Sequence, residues 1–354
     1  MERDYQRYKL SKNIANAARK MFPKSQAIFA ILSKFAYLQM DNRPLVGDAI
    51  YTHSFDLTHP PNAFLLEELV NRKMVLTAYY AIKFIHRINA LIRDYYQLPL
   101  PPPAKVCMMI HAISYKQYYK KFKFNQYPTW INIGRNDILR MLLRYDSMSY
   151  NTQILCIPEN TWSVLCKTFN VWLEGFASPI DTQIMKYGGF GKFFCSCFPD
   201  TDRPFGSIGS FFTARKNSGS IMAHPPPSMV NAASTHIIDC CIEAAKTSKN
   251  IRFFFFAEVD AIPVFDASEF TTYKYVMKPQ TYYYESYSSS GQKYKIPGKT
   301  QLCIYVLEVV DDDTDIDQNY EKIALSMCTD VGLSSNFKIE NPSNRYSVLI
   351  PNRK

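Results

Sequence analysis

Residues 251–257, Ile-Arg-Phe-Phe-Phe-Phe-Ala, constrain the fold more than any other stretch of the chain. A strand with one wet face alternates apolar and polar side chains, whereas a nearly unbroken apolar run of this length reads as a strand buried on both faces. Such a strand needs helices over both faces, the arrangement of a three-layer α/β domain. The neighbouring segments agree. Residues 229–245 carry helical apolar spacing, Gln301–Glu308 reads as a second strong strand, and residues 273–277 and 282–284 read as a further strand with its flank. Strand and helix thus alternate after residue 170. The expected fold is α/β, with a mainly parallel sheet beginning near Val171 behind an all-helical front domain. Residues 286–298, rich in Ser, Gly and Lys, read as a mobile loop.

The front half has a different pattern. Ile14, Ala17, Ala18 and Met21, then Ile28, Ile31, Leu32, Phe35 and Leu38, recur at three and four, with Pro23 between them, which predicts two helices. Residues 63–96 predict one long helix or two, ended by the proline-rich 99–103 segment. Helices are also expected at 136–145 and 159–169. Charge follows the same division. Residues 1–150 hold 22 Lys and Arg against 10 Asp and Glu, leaving 19 against 21 for the remainder. A basic lobe beside a near-neutral one suits a polyanion gripped by the first and processed at the second, although a basic surface that only meets water has the same signature. The domains are therefore expected to be a basic helical, RNA-binding domain at 1–150 and an α/β domain at 151–354.

Within residues 105–125, which read equally as helix or strand, Tyr115, Lys116, Tyr118, Tyr119, Lys120, Lys121 and Lys123 form the densest mixture of basic and aromatic side chains. Aromatic faces stack on bases while lysines meet phosphates, so these are the candidate RNA contacts. A helix with its rings turned inward and its lysines in water fits the same residues.

Composition excludes several classes. With 47% hydrophobic and 20% charged residues the chain is a folded globular protein, not a disordered one. Its 9 cysteines show no disulfide framework and no zinc-finger spacing, so reduced thiols and an intracellular, cytoplasmic setting are expected, with no metal site. No apolar run reaches the length that spans a bilayer, so no membrane partner is expected.

The candidate site lies between Leu173 and Val230. Three apolar lead-ins there each break into small, acidic or proline residues: Phe176-Ala177-Ser178-Pro179 with Asp181, then Asp200 and Asp202 running into Gly206 and Gly209, then His224-Pro225-Pro226-Pro227. A parallel sheet presents loops to a ligand in this way, at the carboxyl ends of its strands. Gly206 and Gly209 allow a close backbone approach, and Asp200 and Asp202 can accept from polar groups or simply form turns.

With these residues in view, residues 162–308 resemble the cap-specific adenosine N6-methyltransferases of the phosphorylated-CTD-interacting factor type. The matching pieces, in the same order, are Phe-Ala-Ser-Pro at 176–179, Phe-Pro-Asp-Thr-Asp at 198–202, Phe-Gly-Ser-x-Gly at 205–209, Ser-Gly-Ser at 218–220, and the strand pair around 251–258 and 301–308. The family's WW domain is expected to be absent. The resemblance implies a Rossmann-like methyltransferase sheet that transfers a methyl group from S-adenosylmethionine to N6 of the adenosine beside the cap of mRNA. It implies that Phe176, Ala177, Ser178, Pro179, Asp181, Asp200, Asp202, Gly206 and Gly209 line the cofactor pocket.

At the position of the family's Asn-Pro-Pro-Phe loop this chain has His224, Pro225, Pro226 and Pro227. In the family, the amide oxygen and a proline carbonyl accept the two amine hydrogens while the phenyl ring stacks on adenine. A neutral imidazole accepts one hydrogen bond and a protonated one accepts none. Pro227 supplies no stacking face, a contact whose removal costs about 1–3 kcal/mol per base. The expectation is a divergent homologue in which adenine methylation is weak or lost, with capped mRNA as partner and S-adenosylmethionine bound, bound without transfer, or no longer held. A catalytically inactive homologue that binds RNA or supports a protein partner is the other reading.

Overall fold

The computed structural model describes residues 2–23, 25, 27–28, 31–32, 35, 57–58, 60–75, 77–98, 133–148, 155–187, 191–214, 216, 218–287, 293–310, 317–328, 337–340 and 346–351. Backbone contacts divide the chain into two units, one of residues 1–120 and 129–153, the other of residues 121–128 and 154–354.

The first unit contains helices α1 (Glu2–Met21), α2 (Pro60–Asn71), α3 (Ala78–Gln97) and α4 (Arg135–Met148). Residues 63–96 thus form two helices. Lys73 takes a left-handed conformation at φ 53°, which a helix interior cannot hold, and Thr77 is extended before α3 begins. Phe84, Ile85, Ile88 and Ile92 make the buried stripe of α3, and Leu10, Ile14 and Ala18 that of α1. Ile28, Ile31, Leu32 and Phe35 are buried in helical backbone, as their spacing predicts. An ion cluster joins α1 to α4: buried Asp4 meets Arg7 at 2.7 Å, Arg144 at 2.8 Å and Arg140 at 3.1 Å.

The second unit opens with helix α5 (Glu159–Thr168) and strand β1 (Leu173–Glu174), followed by β2 (Phe193–Phe194), β3 (Gly219–Ala223), helix α6 (Val230–Lys246) and β4 (Ile251–Ala257). Strand β5 (Thr271–Met277), hairpin strands β6 (Tyr283–Tyr287) and β7 (Lys293–Pro297), β8 (Leu302–Val309), helix α7 (Asp317–Ser326), β9 (Phe337–Glu340) and β10 (Tyr346–Pro351) complete it. The main sheet has the order β2-β1-β3-β4-β8-β5-β10-β9. Strands β2, β1, β3 and β4 pair in parallel, whereas β8 enters antiparallel between β4 and β5, and β9 pairs antiparallel with β10. The sheet is therefore mixed, since β8 starts at the edge where β4 ends and must run back between its neighbours. Part of the segment expected to be a mobile loop is strand β7, paired with β6 from Tyr283↔Pro297 to Tyr287↔Lys293.

Alternation along β4 explains its phenylalanine run. Phe253 and Phe255 enter the cluster with Val230, Ala233, Ile237 and Cys241 of α6. Phe254 points the other way, against Phe169 at 4.8 Å between ring centroids, and Phe169 stacks on Tyr320 of α7 at 5.1 Å and 3°. Ser326 of α7 donates to Thr161 of α5 at 2.8 Å, tying the two helices of that face together. Helices thus cover both faces, and the polar chemistry is left to the edges.

Candidate functional site

Strand order locates the crevice. From β1 the chain crosses to β2 on one side, while β3 pairs on the other. The loops leaving the carboxyl ends of β1 and β3 consequently diverge, which is where open α/β sheets receive ligands. Register fixes how close they begin: Glu174 pairs with Met222, and the Gly175 N–H donates to the Met222 carbonyl at 2.7 Å. A Cβ at Gly175 would lie 2.7 Å from the Phe211 ring and 3.2 Å from the Met222 carbonyl, so only glycine fits this approach. Segment 195–209 enters the same edge, with Ala177 N–H donating to Cys195 O at 3.0 Å and Ser196 N–H to Gly209 O at 2.9 Å.

The loop after β1 is held by two carboxyl groups. Asp181 accepts from the Ser178 N–H at 2.6 Å and the Ser178 hydroxyl at 2.7 Å, closing the Ser178–Asp181 turn on itself. Burial raises the Asp181 pKa against the pull of these bonds. Glu174, buried at the end of β1, accepts on Oε2 from Thr182 Oγ1 at 2.8 Å, Gln183 N–H at 2.9 Å and Ile184 N–H at 3.1 Å. Desolvation pushes its pKa up to about 8 despite these donors, so at neutral pH it is mainly a carboxylic acid whose carbonyl oxygen takes all three bonds.

His224 follows the last residue of β3. The residue keeps partial exposure, and its ring lies 5.5 Å from that of Tyr284 at 17°, a stacked arrangement. Tyr284 is buried and braced edge-on by Tyr282 at 5.5 Å and 89°. Its hydroxyl makes no well-directed hydrogen bond but interacts with Glu258 and Tyr282. Glu258 leaves the end of β4 and accepts from Thr300 Oγ1, just ahead of β8, at 3.0 Å. Burial pushes the His224 imidazole down to about 4, so near pH 7 it is neutral and one ring nitrogen can accept a hydrogen bond. Pro225 is buried, Pro226 half-buried and Pro227 exposed. The Pro226 carbonyl accepts the Met229 N–H at 2.8 Å, closing the turn into α6.

The structure brings Phe176, Ala177, Ser178, Pro179, Asp181, Gly209 and His224 to one edge, with different surroundings. Phe176 packs on Phe211 at 4.7 Å and belongs to the margin of the hydrophobic core. Asp202 is wholly buried and takes the Thr201 hydroxyl at 3.0 Å, so it holds its turn, whereas Asp200 is half exposed. Gly206 has φ 101° and ends a tight helical turn (Arg203–Phe205). Gly209 has φ 118°, with open space where a Cβ would stand. Tyr115, Lys116, Tyr118, Tyr119, Lys120, Lys121 and Lys123 lie outside the described residues. Sequence reasoning did not single out Glu174, Glu258 or Tyr284. An acidic residue between an apolar strand and a glycine was a usable signal for Glu174, but the Tyr284–His224 stack spans sixty positions and left none. Among the described residues no group of His, Cys, Asp and Glu could hold a metal ion, and no helix is long and apolar enough to cross a membrane.

Part of the chain is similar to known proteins. A family model described as "Phosphorylated CTD interacting factor 1 WW domain" matches residues 116–287, a span that includes β1 to β6. Two curated relatives, each named mRNA (2'-O-methyladenosine-N(6)-)-methyltransferase, from Homo sapiens and Mus musculus, are 39% identical over 70 residues. That stretch covers 20% of this chain and 9% of each relative. These similarities support a relation to the phosphorylated-CTD-interacting-factor family.

Proposed function

We propose that this chain is a divergent homologue of the S-adenosylmethionine-dependent mRNA cap adenosine N6-methyltransferases, with a Rossmann-like methyltransferase sheet, in which adenine methylation is weak or lost. The observation that carries this reading is the placement of a neutral, partly exposed His224 at the end of β3, beside the small-residue loop after β1 at the divergence of the sheet. Capped mRNA is the expected partner and the cytoplasm the expected setting.

The residues fit the cofactor in part. The backbone of Phe176 and Ala177, half-buried Asp200 and the open space beside Gly209 would hold it, while Asp181 and Asp202 each give one oxygen to their own loops. When bound, S-adenosylmethionine supplies an electrophilic methyl group. The protein's task is then to orient an exocyclic amine, a weak nucleophile because its lone pair is conjugated with the ring. The imidazole of His224 accepts one amine hydrogen and the Pro225 carbonyl accepts the other. The stack on Tyr284 fixes the imidazole plane and shields one of its faces, so an incoming base meets the remaining face and the ring edge.

The second reading, an inactive homologue that binds RNA or supports a protein partner, is favoured by one feature. Pro227 stands exposed where the family has its aromatic ring, and a proline supplies no stacking face. Tritiated methyl transfer to capped RNA beginning with adenosine, beside calorimetric titration of the cofactor, separates the two. Transfer above background that His224→Ala abolishes supports residual catalysis. Capped-RNA binding without transfer supports the inactive reading, and binding of neither cofactor nor capped RNA rejects both.

A further inference from the structure

We propose that a groove between α1 and α3 of the helical unit binds single-stranded RNA. It rests on the reading above only in sharing an RNA partner. The groove has two adjoining lobes of about 620 and 700 Å³ that share Arg87. Along α3, Tyr80, Lys83 and Arg87 lie at i, i+3 and i+7, hence on one helical stripe, and all three are exposed. Lys20 and Asn16 of α1 face them across the gap, and buried Phe84 lines its floor.

The lining chemistry selects the occupant. Among the described residues three cations and no carboxylate line the groove, so its field favours a polyanion. A purely electrostatic surface would need no aromatic ring or amide, yet the Tyr80 ring is 45% exposed inside the groove, and Asn16, whose side-chain oxygen takes Arg19 at 3.1 Å, adds amide donors that can meet a base edge. Aromatic faces interleaved with cations are how proteins hold single strands, with bases stacked and phosphates neutralised. In this arrangement Lys20, Lys83 and Arg87 meet successive phosphates and one base rests on Tyr80.

The test uses the full chain and a fluorescein-labelled, uncapped oligouridylate of about ten nucleotides, within the span of usual single-strand sites. Lys83→Glu with Arg87→Glu should weaken binding at least about tenfold and make the salt slope shallower by about 1.4, since each lost phosphate contact on a single strand accounts for about 0.7. Tyr80→Ala should weaken binding at least about fivefold with the slope unchanged. Unchanged affinity and slope in the double variant would overturn the proposal, as would equal competition by an acidic polyglutamate peptide. Cofactor calorimetry on the same proteins keeps the failures apart: absence of cofactor binding in the wild type counts against the methyltransferase reading, and intact RNA binding in the double variant counts against the groove.

Discussion

His224 shows how much one side chain decides. An imidazole is larger than an amide, offers a single acceptor nitrogen, and here is fixed by a tyrosine ring that a smaller residue would leave bare. Exchanging it for asparagine restores an amide acceptor, and placing phenylalanine at 227 restores a ring where the structure has an exposed proline. The double replacement His224→Asn with Pro227→Phe should therefore raise adenine methylation at least about tenfold above the parent, the equivalent of about 1.4 kcal/mol in the barrier, as read by single-turnover methyl transfer. No gain would mean that the loop after β1 no longer seats the cofactor.

At the scale of elements, the contact between β1 and β3 sets the site. Gly175 lies where the two strands approach and where the Phe211 ring covers them, and that ring is itself held by Phe176, Phe212 and the Lys216 ammonium. Gly175→Ala forces the ring or the strands apart and should destabilise the second unit by about 1–3 kcal/mol in urea denaturation, as overpacking generally does. Cofactor affinity should fall with it, because the Phe176–Asp181 loop starts at that residue. The helical unit has a comparable dependence on one residue. Burial opposes ionisation of Asp4, but Arg144 and Arg7 more than offset it and hold its pKa below the usual carboxylate range. Asp4→Ala would leave two arginines whose side chains are 2% exposed without their shared carboxylate. A loss of about 3–5 kcal/mol is expected, measured by chemical denaturation.

For the whole molecule, pH connects the site to stability. The native state keeps a proton on Glu174 up to about pH 8, whereas the unfolded chain releases it near 4.5, so this contribution is present below 4.5 and is lost as pH rises towards 8. His224 has the opposite sense: the unfolded chain takes up a proton below 6.5 and the native state refuses it until about 4, so stability is lost as pH falls through that window. Glu174→Gln keeps an oxygen for the three donors and removes the first effect. Its melting temperature should exceed the parent's by an amount that grows from pH 5 to pH 8. For His224→Asn the difference should instead grow as pH falls from 6.5 to 4. Parallel melting curves across pH for either variant would contradict the assigned protonation state.

The sequence by itself determined most of the helices and the doubly buried strand β4, and it marked the three loops proposed as the candidate site, whereas helix α7 and strands β9 and β10 were not read from it. The features it determined are read from periodicity and punctuation within a few residues, where the physics is local. Tertiary structure decided the rest. The antiparallel insertion of β8, the β6–β7 hairpin, the stack of Tyr284 on His224 and the pairing of Asp4 with Arg144 all join positions far apart in the chain. Each depends on which edge a strand enters or which face a helix turns inward, and no short-range pattern encodes that choice. The turning inward of Asp181 and Asp202 belongs to the same class: a carboxylate in a loop has the same sequence signature whether it meets a ligand or its own backbone, and only packing distinguishes them.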